Sequence, residues 1–240
     1  MKYIALKYIN EDPAVGNADS SEDAKESTGM LERLVADLRG QLAEISPAAE
    51  TLRRADLLLQ LGRALVRLEK GPDAWAATRE AFDLYLAEQA WEGAAQACDI
   101  LFLSDQPESL AALGQGIWLA VTYPIDPELS VALLQHVVDD TPPDSDGAAV
   151  AAVTAYYLVD LRAREPQREH LLIYANQVLA TVARRHSGVD GQQVFNQWIE
   201  DMELNDPALF LPRLRNGVDV LVQDDWWFDR KALQAALPVD

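Results

Sequence analysis

"ADLLLQLGRALVRLEKGPDAWAATREAF" (residues 55–82) decides the fold. Leu58, Leu61 and Leu65, flanked by Leu59, Val66 and Leu68, return at spacings of three and four, the period of an amphipathic helix. "KGPDAW" (70–75) breaks the pattern and restarts it. Gly71 suits a C-cap, and Pro72–Asp73 suits entry into a second helix. That second helix carries Ala74 and Ala81, small residues that let two helices approach closely. Two helices across so short a break make an antiparallel hairpin.

The same grammar extends both ways. Upstream, Leu31, Leu34, Val35, Leu38, Leu42 and Ile45 predict a helix beginning at Leu31. "ISPAAE" (45–50) then offers Ser46 as N-cap and Pro47 as the first residue of the helix that ends near Glu69. Downstream, helices are predicted over roughly 73–87, 89–103, 107–121, 127–139, 146–164, 167–186, 190–203, 212–223 and 230–237. Turn-like pieces such as "SDQP", "YPIDP", "REPQ" and "LNDP" join them. Many helices with short connections stack as neighbouring hairpins, so the expected fold class is all-α. Residues 2–9, "KYIALKYI", are too short for periodicity to choose between strand and helical turn. If ordered, they dock onto the body. Residues 10–29 contain one branched aliphatic, Val15, and are expected to be a solvated, flexible linker. The domain plan is therefore an N-terminal segment (1–29) and one helical domain (30–240), closed by an aromatic cap over about 205–240.

The hairpin at 55–82 resembles a tetratricopeptide-type unit. Leu58, Leu61, Gly62 and Leu65 stand at the spacing of that family's Trp–Leu–Gly–Tyr pattern. Trp91, Ala94, Ala95 and Cys98 recur thirty-three positions later, close to the family period of 34. Leu replaces Trp and Tyr in the first unit, and the usual closing Pro is absent. The resemblance is firm over about fifty residues within 55–121 and degenerate beyond residue 105. It implies stacked helical hairpins. It implies little about function, because such repeats serve scaffolds, chaperones and regulators alike.

The net charge of the 240 residues is −19. Glu80 to Asp160 holds fourteen acids and no Lys or Arg, whereas the sequence outside that block and residues 10–29 is balanced. Such a chain is repelled by nucleic-acid phosphates and by anionic membrane surfaces. The acids of the block must be solvated, matched by arginines from elsewhere in the fold, or matched by a basic or metal partner. No apolar run is long enough to span a bilayer. The single cysteine excludes a disulfide framework and makes a cytoplasmic setting the expectation.

Motifs that carry chemistry are sparse. His136, His170 and His186 have no second His or Cys at i+3 or i+4, so none reads as a zinc ligand. "DDTPPDSDGAAV" (139–150) places Asp144, Asp146 and Gly147 like part of a calcium loop. Its end positions would be Pro142 and Val153, which cannot ligate. Cys98 lies on a small-residue helix face and reads as a packed thiol. "LGQG" (113–116) is internal to a helix, and "EDMEL" (200–204) lacks the Glu-x-x-His partner of a carboxylate metal site. No cofactor is expected.

One stretch remains, "QDDWWFDRKAL" (223–233). Three consecutive aromatics cannot enter a single core face on a helix, where neighbours point about 100° apart. In an extended segment Trp226 and Phe228 share one side and Trp227 takes the other. Asp229 suits the N-cap of a last short helix, with Phe228 packing on Leu233. The run is expected to cap the last hairpin, with Trp227 left partly exposed for a partner. Together these features predict a non-catalytic protein-binding module: an adaptor, scaffold or assembly chaperone with an acidic surface for a basic protein partner. Its candidate contact residues are Trp226, Trp227, Asp139, Asp140, Asp144, Glu88 and Glu92. The alternatives are a maturation chaperone for a cofactor-containing enzyme, and an enzyme whose site gathers scattered acids and His.

Overall fold

In the computed structural model of the protein, the described residues are 7–9, 21–45 and 50–237. Among them are eleven α-helices and no strand: α1 (Ser21–Glu44), α2 (Thr51–Arg67), α3 (Gly71–Ala87), α4 (Trp91–Leu103), α5 (Ser109–Thr122), α6 (Pro127–Asp140), α7 (Asp146–Arg162), α8 (Gln167–Ser187), α9 (Gln192–Asp201), α10 (Pro207–Val222) and α11 (Arg230–Ala235). Each helix from α2 to α7 makes its most extensive contact with a chain neighbour, giving the hairpin stack. Helices α2, α4, α6 and α8 touch in succession and form one layer. Helices α3, α5 and α7 form the opposite layer. Helix α10 then turns back and lies on α5 and α7.

Local chemistry explains the turns. The C-terminal ends of α2, α3 and α9 close with a backbone N–H bonding five residues back: Lys70 to Leu65, Ala90 to Tyr85 and Leu204 to Ile199, each at 2.9 Å. This closure needs a left-handed residue, supplied by Glu69, Gln89 and Glu203 with φ near +55°. Gly71 is therefore not the C-cap its position suggested. It opens α3, and a Cβ there would lie 2.4 Å from the Ser104 carbonyl oxygen. Two Asp–Pro pairs start helices. Asp126 accepts from the Glu128 N–H, Asp206 accepts from the Ala208 N–H, and the following proline occupies the first turn.

Two boundaries differ from the sequence expectation. Helix α1 starts at Ser21, not Leu31, because Glu22, Ala24, Lys25 and Glu26 are strong helix formers despite their lack of apolar periodicity. The expected linker thus loses 21–29 to a helix, and its residues 10–20 lie outside the described residues, as do Ser46 and Pro47. Helix α10 starts at Pro207, with Pro212 inside it. A proline in the second turn forfeits one hydrogen bond near the frayed end, so it does not terminate the helix.

The acid block lacks basic residues for its own helix ends. Neither α5 nor α6 has a cation in its last turn. Arginines from other helices take that place. Arg162 donates to the carbonyls of Ala120 and Val121 at 2.6 and 2.8 Å, and Arg185 donates to that of Val138 at 2.6 Å. These cations satisfy orphan carbonyls and oppose the negative helix ends.

The layers are held by close helix contacts. A Cβ at Gly62 would fall 1.9 Å from Thr78 Oγ1, so α2 and α3 meet there backbone to side chain. A Cβ at Gly114 would fall 2.5 Å from Val222 Cγ2, which marks the seat of α10 on α5. That return delivers the aromatic run to the α3–α5 seam. Trp226 and Phe228 face Trp118, with ring centroids at 6.3 and 5.2 Å. Trp227 sets its ring edge-on to Trp75 and Phe82, with the Arg79 guanidinium 4.3 Å from its centre. The alternation expected of an extended segment holds. The covered place does not: the run closes the middle of the stack, not its last hairpin, because α10 has already carried the chain back.

Candidate functional site

The layer α2–α4–α6–α8 carries a groove of about 670 Å³. Helix α6 presents Ala132, Gln135, His136 and Asp139 to it, a stripe at spacings of three, one and three that a single helix face produces. Helix α4 adds Asp99, Ile100 and Leu103, α2 adds Arg63, Val66 and Arg67, and α8 adds Tyr174. One wall is thus cationic, the facing wall acidic, and the floor aliphatic. His136 Nε2 sits 2.8 Å from Asp99 Oδ1, and the His136 ring lies against Phe102 with centroids 4.6 Å apart. Gln135 donates to Asp139 at 2.7 Å. Burial, helped by the Asp139 charge, pushes the Tyr174 hydroxyl pKa up, so it stays a neutral donor and acceptor.

Lys7–Ile9 occupies one end of this groove. The Tyr8 and Ile9 backbone N–H groups both donate to Oε1 of Glu128, the second at 3.2 Å. Gln167 Nε2 donates to the other carboxylate oxygen at 2.7 Å. Glu128 is 0% exposed. The Tyr8 phenol oxygen accepts from Gln96 Nε2 at 2.8 Å and from Lys7 Nζ at 2.7 Å. The backbone bends at Lys7–Ile9, which turns two consecutive N–H groups onto one carboxylate oxygen.

The residues singled out from the sequence fall in three places. Glu88 and Glu92 are exposed at the α3–α4 turn. Asp139 and Asp140 at the end of α6, and Asp144 in the α6–α7 turn, are exposed at the opposite end of the stack, about 20 Å away along a fourteen-residue helix. Of the five, only Asp139 lines the groove. Trp226 and Trp227 are half-buried on the other layer, and the Trp227 backbone N–H donates to Gln115 Oε1 at 2.9 Å. Part of the acid block is matched by arginines outside it: Glu80 by Arg54 at 2.7 Å, and Asp83, Asp160 and Asp146 by Arg79, Arg168 and Arg213.

Sequence reading missed Glu128, Gln96 and Gln167. By charge count Glu128 is one of the fourteen acids of the block, and only its place on a face with Ala132, Gln135 and His136 sets it apart. A second hollow of about 500 Å³ lies where α7 to α10 meet, walled by Tyr156, Tyr157, Phe195 and Phe210. Among the described residues, no group of three or more His, Cys, Asp or Glu side chains could hold a metal, and no helix is long and apolar enough to cross a membrane. Comparison with known proteins gives no match to a family, to a curated protein or to a solved structure.

Proposed function

We propose that the protein is a non-catalytic protein-binding module, an adaptor, scaffold or assembly chaperone, whose α2–α4–α6–α8 groove receives a short main-chain segment of a partner. One observation carries this reading: the groove already holds main chain, with Glu128 accepting two successive backbone N–H groups. Main-chain hydrogen bonds supply affinity in such recognition, and side-chain pockets supply selectivity. The exposed acids at both ends of the groove favour a partner with a basic surface. Their attraction would be screened over roughly 8 Å at physiological salt, so association should slow as salt rises. A cytoplasmic setting agrees with a single, buried cysteine.

The test is capture from native lysate by the wild-type chain and by Ala132→Arg, which fills the groove. Loss of partners in a variant with unchanged circular dichroism supports the reading. Retention of every partner by the folded variant removes the groove from consideration.

A further inference from the structure

The first ten residues, "MKYIALKYIN", contain the same tripeptide twice: Lys2–Tyr3–Ile4 and Lys7–Tyr8–Ile9. The second copy sits in the groove. Its seat makes chemical demands that any replacement must meet. Glu128 is fully buried and has three donors: two backbone N–H groups from Tyr8 and Ile9, and the amide of Gln167. A buried carboxylate stripped of its donors is strongly disfavoured. The seat therefore calls for an occupant with two consecutive free N–H groups, which excludes proline at either position. Gln96 adds a donor, which the aromatic hydroxyl of Tyr8 meets. The lysine completes it, with its ammonium on the phenol oxygen and 4.5 Å from the ring centre. Beyond Ile9 the groove runs on past Ile100 and His136 to Asp139, so a longer segment finds further surface there.

We propose that this seat is a recognition site for a short bent segment of a partner protein with the pattern basic–tyrosine–aliphatic, and that Lys7–Ile9 is its exchangeable intramolecular occupant. The inference rests on the groove reading above and names the chemistry of what the groove takes. A tethered occupant acts at an effective concentration on the order of millimolar. A partner segment must displace it, and its apparent affinity falls in proportion to the fraction of time the seat is free. The N-terminus thus sets a threshold that only a well-matched or abundant partner crosses.

The test uses a fluorescein-labelled synthetic peptide, MKYIALKYIN, as probe and full-length chains as receptors. Fluorescence anisotropy is measured for wild type, for Tyr3→Ala/Tyr8→Ala, and for that variant with Glu128→Gln added. Emptying the seat should tighten peptide binding by at least about tenfold over wild type. Adding Glu128→Gln should reverse most of that gain. A peptide with both tyrosines replaced by alanine should not bind. Should the double variant unfold, Tyr8→Phe gives the same comparison: it keeps the ring, loses the Gln96 and Lys7 bonds, and should raise affinity by a smaller factor. Equal affinity for wild type and the folded double variant overturns the proposal, as does no binding to either. If Ala132→Arg still abolishes partner capture in that case, the groove reading stands and only the peptide chemistry is wrong. A concentration-dependent dimer abolished by Tyr8→Ala would assign the seat to a second copy and also overturn the proposal.

Discussion

Gly62→Ala should destabilise the protein although alanine is the better helix former. In an unhindered helix interior the substitution gains about 1 kcal/mol. At Gly62 the added Cβ falls 1.9 Å from Thr78 Oγ1, 3.2 Å from Thr78 Cβ and 3.4 Å from Ile100 Cγ2. Thr78 is 0% exposed, and its hydroxyl has no hydrogen-bond partner. The hydroxyl can therefore rotate away, but the Cβ–Cβ approach remains and α2 must shift from α3. Overpacking of this kind costs about 1–3 kcal/mol, so after the propensity gain the net loss should be up to about 2 kcal/mol, a fall in Tm of up to about 8 °C for a chain of this size. Thr78→Ala removes the closest atom. In that background Gly62→Ala should cost little, giving a coupling of about 1 kcal/mol or more. Gly40→Ala in α1, where a Cβ meets nothing within 4 Å, is the control and should raise Tm. Thermal melts at 222 nm read all four proteins. If Gly62→Ala raises Tm as Gly40→Ala does, the close α2–α3 crossing is wrong.

Four further outcomes are expected. Gln89→Gly relieves a left-handed residue that costs about 1–2 kcal/mol; after the extra unfolded-state entropy of glycine it should stabilise by about 0.5–1 kcal/mol in urea denaturation. Arg162→Ala strands the Ala120 and Val121 carbonyls at the end of α5 and should cost about 2–3 kcal/mol, with Arg162→Lys recovering less than half because it cannot fork between them. Trp227→Ala should lower stability by about 2 kcal/mol, less than the 3–5 kcal/mol of a fully buried aromatic, and should leave partner capture by the folded protein unchanged. Burial raises the Cys98 thiol above its usual value of 9.0, so only the unfolded chain releases that proton as pH climbs past 9. Stability should be full below pH 9 and fall above it by up to about 1.4 kcal/mol per pH unit, a slope that Cys98→Ala should reduce.

Most helix positions from Thr51 to Ser187 were legible because each rests on local chemistry. Leu58, Leu61 and Leu65 mark the buried face of α2, and Asp126–Pro127 fixes the start of α6 within a few residues. The return of α10 was not legible. Its docking depends on Gly114 meeting Val222 across more than a hundred residues, and no local period encodes that contact. For the same reason the aromatic run could be read as alternating but not placed. The candidate site was hidden in a different way. The acid block reads as one charged surface, yet Glu128 is buried because a segment at the far N-terminus supplies its donors. A charge count cannot distinguish an acid facing water from one facing two backbone N–H groups.

Photo-crosslinking locates the partner most directly. A benzoylphenylalanine at Leu103, exposed on α4, places the probe at the groove, and one at Val220, exposed on α10, places it on the opposite layer. Both full-length proteins are irradiated in native lysate, and adducts are compared at low and high salt. The groove reading predicts a discrete adduct from position 103, lost when salt is raised, and none of the same mass from position 220. A salt-insensitive adduct formed only from position 220 would contradict it.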